Sequence, residues 1–141
     1  MEELKLKKLV RLIDISVVQT SSTLGEIEDV IEVAKKYNFV SVFVMPSMIH
    51  YVFENLHDYD SVGIGGVVGF PSGAETTEMK VFQAEQYKKM GCSEVDMVMN
   101  IGKLKSGLYD EVLEDIRRVK KVINPLPLKV IIEVHFFQMR R

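Results

Sequence analysis

Two periods of apolar and polar residues take turns along the chain. Residues 12–18, LIDISVV, place Leu12, Asp14 and Ser16 on one face and Ile13, Ile15 and Val17 on the other, the period of a β-strand. Residues 39–44 form a nearly continuous β-branched and aromatic run that predicts a second strand, broken by Pro46. Residues 62–70 predict a third, loosened by four glycines and stopped by Pro71. Residues 94–100 alternate again, with Val95, Met97 and Met99 opposite Glu94, Asp96, Val98 and Asn100, and residues 128–134 give a fifth strand.

Helical patterns fill the intervals. Residues 2–10 predict a short charged helix that offers Leu4, Leu6 and Leu9 to a core. Thr23 and Glu26 have the spacing of a capping box, and Ile27, Val30, Ile31 and Ala34 follow as a helical stripe. Residues 47–56 read as a further helix. Thr76 and Thr77 open a long one running to Met90, whose inner face is expected to be Met79, Phe82, Ala84 and Tyr87. Residues 103–107 are expected to turn the chain into a last helix over 109–123. Strands that alternate with helices through short links argue for a parallel sheet with right-handed crossovers. The alternation alone leaves an open doubly wound sheet and part of a barrel equally open.

Composition narrows this only a little. A chain of 141 residues can bury one core, yet falls short of the roughly 200 that a complete (β/α)8 barrel needs. A formal net charge of −2 gives no sign of a nucleic-acid or membrane partner. No apolar stretch approaches the ~20 residues of a membrane span, and the opening MEELKLKKLVR lacks the apolar core of a signal peptide. Cys92 is the single cysteine, so a disulfide within the chain and a cysteine-based metal cluster are both ruled out. The expected setting is cytoplasmic, with no cofactor and no metal.

The chemistry concentrates on residues 91–107. Asp96 stands in mid-strand between apolar neighbours, where a carboxylate is costly to desolvate unless a cation or donor meets it. An acid near the carboxyl end of a parallel strand is where barrels and open α/β sheets place their reactive groups, although a purely structural pair with a lysine fits the same pattern. Lys129, on the neighbouring predicted strand, is the cation expected to meet it. Residues 63–69, GIGGVVG, suggest a nucleotide loop but fail G-x-G-x-x-G at Val68 and lie inside a strand, which points to close packing instead. His50, His57 and His135 fall on separate elements without metal-ligand spacing.

Five segments, in order, resemble deoxyribose-phosphate aldolase, a class I aldolase that cleaves 2-deoxyribose 5-phosphate to acetaldehyde and glyceraldehyde 3-phosphate. Ile13-Asp14-Ile15-Ser16 is similar to the family's I-D-H-T, and Val42-Phe43-Val44-Met45-Pro46 to its V-C-V-x-P. Val68 to Ala74, VGFPSGA, is similar to V-G-F-P-x-G-A, and Glu94 to Gly102, EVDMVMNIG, to E-[IV]-D-M-V-I-N-I-G. Leu128 to Glu133, LKVIIE, is similar to L-K-V-I-I-E.

The resemblance implies an α/β fold of parallel (β/α) units, a partial TIM barrel with about five of the eight strands, in one domain over residues 1–141. It implies that Asp96 assists proton transfer as the catalytic residue and that Asp14, Ser16 and Lys129 line the substrate site for a sugar phosphate. The chain departs from the family at Ile15 for His, Ser16 for Thr and Phe43 for Cys. The family's Schiff-base lysine stands in a K-T-S-T-G segment that these residues do not contain. The expectation is therefore an aldolase-family chain that is catalytically incomplete by itself and that forms a homo-oligomer or joins a complementing chain. The alternative is a non-catalytic half-barrel or interaction module.

Overall fold

The computed structural model describes residues 2–137, with side chains from residue 6 onward. Five parallel strands alternate with helices, and strand order along the sheet follows the chain. Among the described residues no helix is long and apolar enough to cross a membrane. By internal packing the described residues divide into two compact units, residues 2–66 with 91–94 and residues 67–90 with 95–137.

In the first unit, α1 (Glu2–Val10) leads to β1 (Asp14–Val17). The strand is shorter than its pattern predicts: Leu12, which is 81% exposed, and Ile13 stay outside it at one end and Val18 at the other. Of the apolar residues of α1, Leu6 and Leu9 are also exposed and only Val10 is buried, which corrects the core expected there; Leu4 lies outside the described side chains. The helix α2 (Leu24–Tyr37) begins on the capping box, with the Glu26 carboxylate accepting the Thr23 N–H at 2.7 Å. Ile27, Ile31 and Ala34 are the buried stripe, packed on β1, β2 (Ser41–Val44) and α3 (Ile49–Leu56). β1 and β2 are parallel, pairing Asp14 with Ser41 and Ser16 with Phe43. Arg11 ties two links together, donating to the carbonyls of Phe39, just before β2, at 2.8 Å and of Ser61 at 2.6 Å.

The third strand, β3 (Gly63–Val68), bears out the packing reading of its glycines. A Cβ on Gly63 would stand 2.3 Å from the Ser93 Oγ, and one on Gly65 2.1 Å from the Phe43 ring. Phe43 is 3% exposed. The ring fills the space that Gly65 leaves.

The second unit holds α4 (Thr77–Met90), β4 (Glu94–Val98, from Val95 on), α5 (Ile101–Lys105), α6 (Tyr109–Ile123) and β5 (Leu128–Ile131). The stretch expected to turn the chain after β4 is instead a short helix, because the Asn100 Oδ1 accepts the Lys103 N–H at 2.9 Å and nucleates a turn. Met99, Ile101 and Val112 form a core with Leu104, Ile116, Val130 and Phe137. β5 ends earlier than its pattern predicts; Glu133 adopts a left-handed backbone and a 3-10 turn follows over Val134–Phe136.

The helix α4 corrects the sequence reading most. Met79 and Phe82 are more than half exposed, and the buried positions are Lys80, Ala84 and Tyr87. Its inner face serves backbone groups as well as apolar ones. The Tyr87 hydroxyl donates to the Val67 carbonyl at 3.0 Å, and the Gln83 Oε1 accepts the Gly69 N–H at 2.9 Å.

Candidate active site

β4 explains why Asp96 stands where it does. Val95 and Met97 are fully buried on one side of the strand, which turns Asp96 to the other. The parallel register sets Asp96 directly opposite Lys129 of β5, and the lysine Nζ lies 3.4 Å from the Asp96 Oδ1. The side chains are 20% and 42% exposed, so the pair is partly open to water, although the Asp96 Oδ1 that faces the lysine is itself buried. An ion pair of this kind contributes little to folding but leaves both groups within reach of a ligand.

The stretch VGFPSGA packs against the carboxyl end of β4. Gly69 and Gly73 both take positive φ, which glycine adopts without the steric cost a Cβ would bring. Gly73 also lies so close to the end of β4 that a Cβ there would stand 2.2 Å from the Met99 carbonyl oxygen. The Gly73 N–H closes the loop on the Gly69 carbonyl at 2.6 Å. The carboxyl end of β4 is thus covered by a tight loop, and Asn100 starts α5 beside it.

Asp14 and Ser16 belong to the first unit. Asp14 accepts a hydrogen bond from the buried Ser41 hydroxyl at 2.6 Å, and the Glu94 Oε1 lies 2.5 Å from the same oxygen. Ser16, two residues along the same face of β1, is exposed and lines a groove of about 450 Å³ with Val17, Gln19, Ser22, Glu26 and Asp29. Of the four residues singled out in the sequence, the structure joins Asp96 to Lys129. It also places Asp14 in a serine–carboxylate cluster that sequence reasoning did not foresee.

Two further residues escaped the sequence. Lys80 is 0% exposed, and its Nζ pairs with the Asp115 Oδ2 at 2.7 Å and donates to the Val98 carbonyl at 3.1 Å. The signal was present: Lys80 shares a helical stripe with Ala84 and Tyr87, and Asp115 shares one with Val112 and Val119. Cys92 offers no nucleophile, since burial pushes its thiol up to about 12. Among the described residues no three His, Cys, Asp or Glu side chains come together as a metal site.

The chain is similar to known proteins over nearly its whole length. It is 44% identical over 139 residues to the deoxyribose-phosphate aldolase of Klebsiella pneumoniae, covering 95% of this chain and 56% of that protein. It is also 44% identical over 126 residues to that of Mycoplasmopsis pulmonis, covering 89% and 57%. A crystal structure assigned to a deoxyribose-phosphate aldolase of Coccidioides immitis superposes with a TM-score of 0.87 at 32% identity, over 94% of this chain and 52% of that one. The tetrameric deoxyribose phosphate aldolase of Aeropyrum pernix, at 22% identity and a TM-score of 0.76, shares the fold. The chain thus spans somewhat more than half the length of the curated relatives it matches. The family model for the DeoC/LacD family aldolases matches residues 9–138, from before β1 to beyond β5, and the chain belongs to that family.

Proposed function

We propose that these residues carry the acid–base part of a deoxyribose-phosphate aldolase site, with the amine nucleophile supplied from outside them. The observation that carries this reading is the Asp96–Lys129 pair, partly exposed and set mid-strand across two adjacent parallel strands of a (β/α) sheet. In a class I aldolase an amine adds to the substrate aldehyde and loses water to form a Schiff base. The C2–C3 bond then breaks, releasing glyceraldehyde 3-phosphate and leaving an enamine that is protonated and hydrolysed to acetaldehyde. Asp96 is suited to passing protons in the addition and enamine steps, and Lys129 to keeping it ionised between them.

Lys129 is poorly suited to be the nucleophile. A carboxylate beside an amine favours the ammonium form, whereas Schiff-base formation needs the neutral amine. The chain alone is therefore expected not to cleave 2-deoxyribose 5-phosphate. Borohydride reduction in the presence of acetaldehyde is expected to leave every lysine unmodified. Mixing the chain with the part of the Klebsiella relative that it does not span is expected to give turnover, lost in Asp96→Asn. An adduct on Lys129 of the isolated chain, absent in Lys129→Arg, would overturn this assignment. The edge strand β5, followed by the exposed Ile132, Val134 and Phe136, supports association with such a segment or with a second copy.

A further inference from the structure

The ladder around β4 is completed at its carboxyl end by side chains. Along β5 it is regular: the Val95 N–H donates to the Pro127 carbonyl at 3.1 Å and the Met99 N–H to the Ile131 carbonyl at 3.2 Å. At the end of β3, Gly69 turns away with positive φ and gives its N–H to Gln83 of α4. Three residues earlier on the same helix, Lys80 supplies the donor for the Val98 carbonyl. A lysine there brings a charge with it, and Asp115 of α6 balances that charge.

A sealed pair of this kind is a poor way to gain stability, because desolvation consumes most of the attraction unless every lone pair is matched. Here the Asp115 Oδ1 is buried without a hydrogen-bond partner among the described residues. The pair is nevertheless aimed at one backbone atom, the carbonyl two residues beyond Asp96.

We propose that Lys80 and Asp115 are positioning residues: by holding the Val98 carbonyl they fix the end of β4 and with it the geometry of Asp96 against Lys129. The inference rests on the acid–base role proposed for Asp96, and its test needs no turnover. The double variant Lys80→Met/Asp115→Leu replaces both charges with apolar side chains of similar length. Its thermal midpoint is expected to equal or exceed that of the parent. Amide exchange at Met99 should nevertheless accelerate about tenfold, the effect of one lost hydrogen bond, while Val95 at the other end of the same strand is unchanged.

The nuclear Overhauser contact between the Asp96 Hβ and Lys129 Hε protons is expected to weaken in parallel. Should the double variant fail to fold, Asp115→Asn serves instead, with Met99 expected to exchange about threefold faster and Val95 unchanged. A pair that serves only stability would change exchange at Met99 and Val95 alike. Equal changes at both amides, or none at either with the Asp96–Lys129 contact intact, would overturn the proposal. A failure of the aldolase reading would show instead as absent turnover in the complemented wild-type chain, which the exchange measurement does not involve.

Discussion

Two lysine–aspartate pairs stand in the same unit and differ in almost everything but their chemistry. Lys80 and Asp115 are 2.7 Å apart and sealed from water, with side-chain exposures of 0% and 3%. Lys129 and Asp96 are 3.4 Å apart and exposed by 42% and 20%. The first pair joins two helices and a strand; the second lies across one parallel ladder. Attraction between opposite charges is common to both, so it cannot be what separates their roles. Water decides: where it is excluded, losing one partner strands a charge, and where it is present either partner can be released and rebound.

The largest expected effect follows from breaking the sealed pair on one side only. Lys80→Met or Asp115→Leu alone should each cost about 3–5 kcal/mol in denaturant unfolding, since each leaves an uncompensated buried charge. The comparison collapses if either single variant is as stable as the parent.

The capping box of α2 gives an intermediate scale from a fully exposed polar contact. Thr23→Ala should cost about 1 kcal/mol through the lost cap. The Thr23 backbone N–H, and after it the Thr23 hydroxyl, hold the Glu26 carboxyl below its ordinary value of 4.5. A carboxyl lowered on folding stabilises the native state above its unfolded value, and that contribution is lost as pH falls through the folded one. The difference between Thr23→Ala and parent should therefore narrow when unfolding is repeated below the ordinary carboxylate range.

The smallest effect belongs to the open pair. Asp96→Leu and Lys129→Leu should each change stability by less than about 1 kcal/mol, and by less again in high salt. A loss at either site comparable to that of Asp115→Leu would show that Asp96 and Lys129 are sealed from water in solution and would erase the distinction.

The open pair was legible in the sequence and the sealed one was not. Asp96 and Lys129 interrupt strands of alternating character, and adjacent parallel strands bring such positions together by register alone. Lys80 interrupts a helix, where an isolated charge ordinarily faces solvent. Its burial depends on a carbonyl 18 positions away and a carboxylate 35 positions away, which no local pattern encodes. The same asymmetry separates α2 from α4. The inner face of α2 is made of apolar side chains, so Ile27, Ile31 and Ala34 could be read directly. That of α4 places Lys80, Gln83 and Tyr87 against backbone groups, so a search for apolar residues selected Met79 and Phe82, which point outward. The end of β5 was hidden for a further reason. The strand stops at Ile131 in the middle of an apolar run, and Glu133 then takes a left-handed backbone that its residue type rarely adopts.

The contact between Phe43 and Gly65 makes the two positions evolutionarily dependent. With the ring in place, any side chain at 65 meets aromatic carbon at 2.1 Å, so Gly65→Ala is closed to the lineage until position 43 shrinks. Phe43→Cys opens that path, and the two substitutions are tolerated in one order only. Measured singly, Gly65→Ala would look forbidden and Phe43→Cys merely costly; together they would show sign epistasis, with the alanine harmful beside phenylalanine and neutral or helpful beside cysteine.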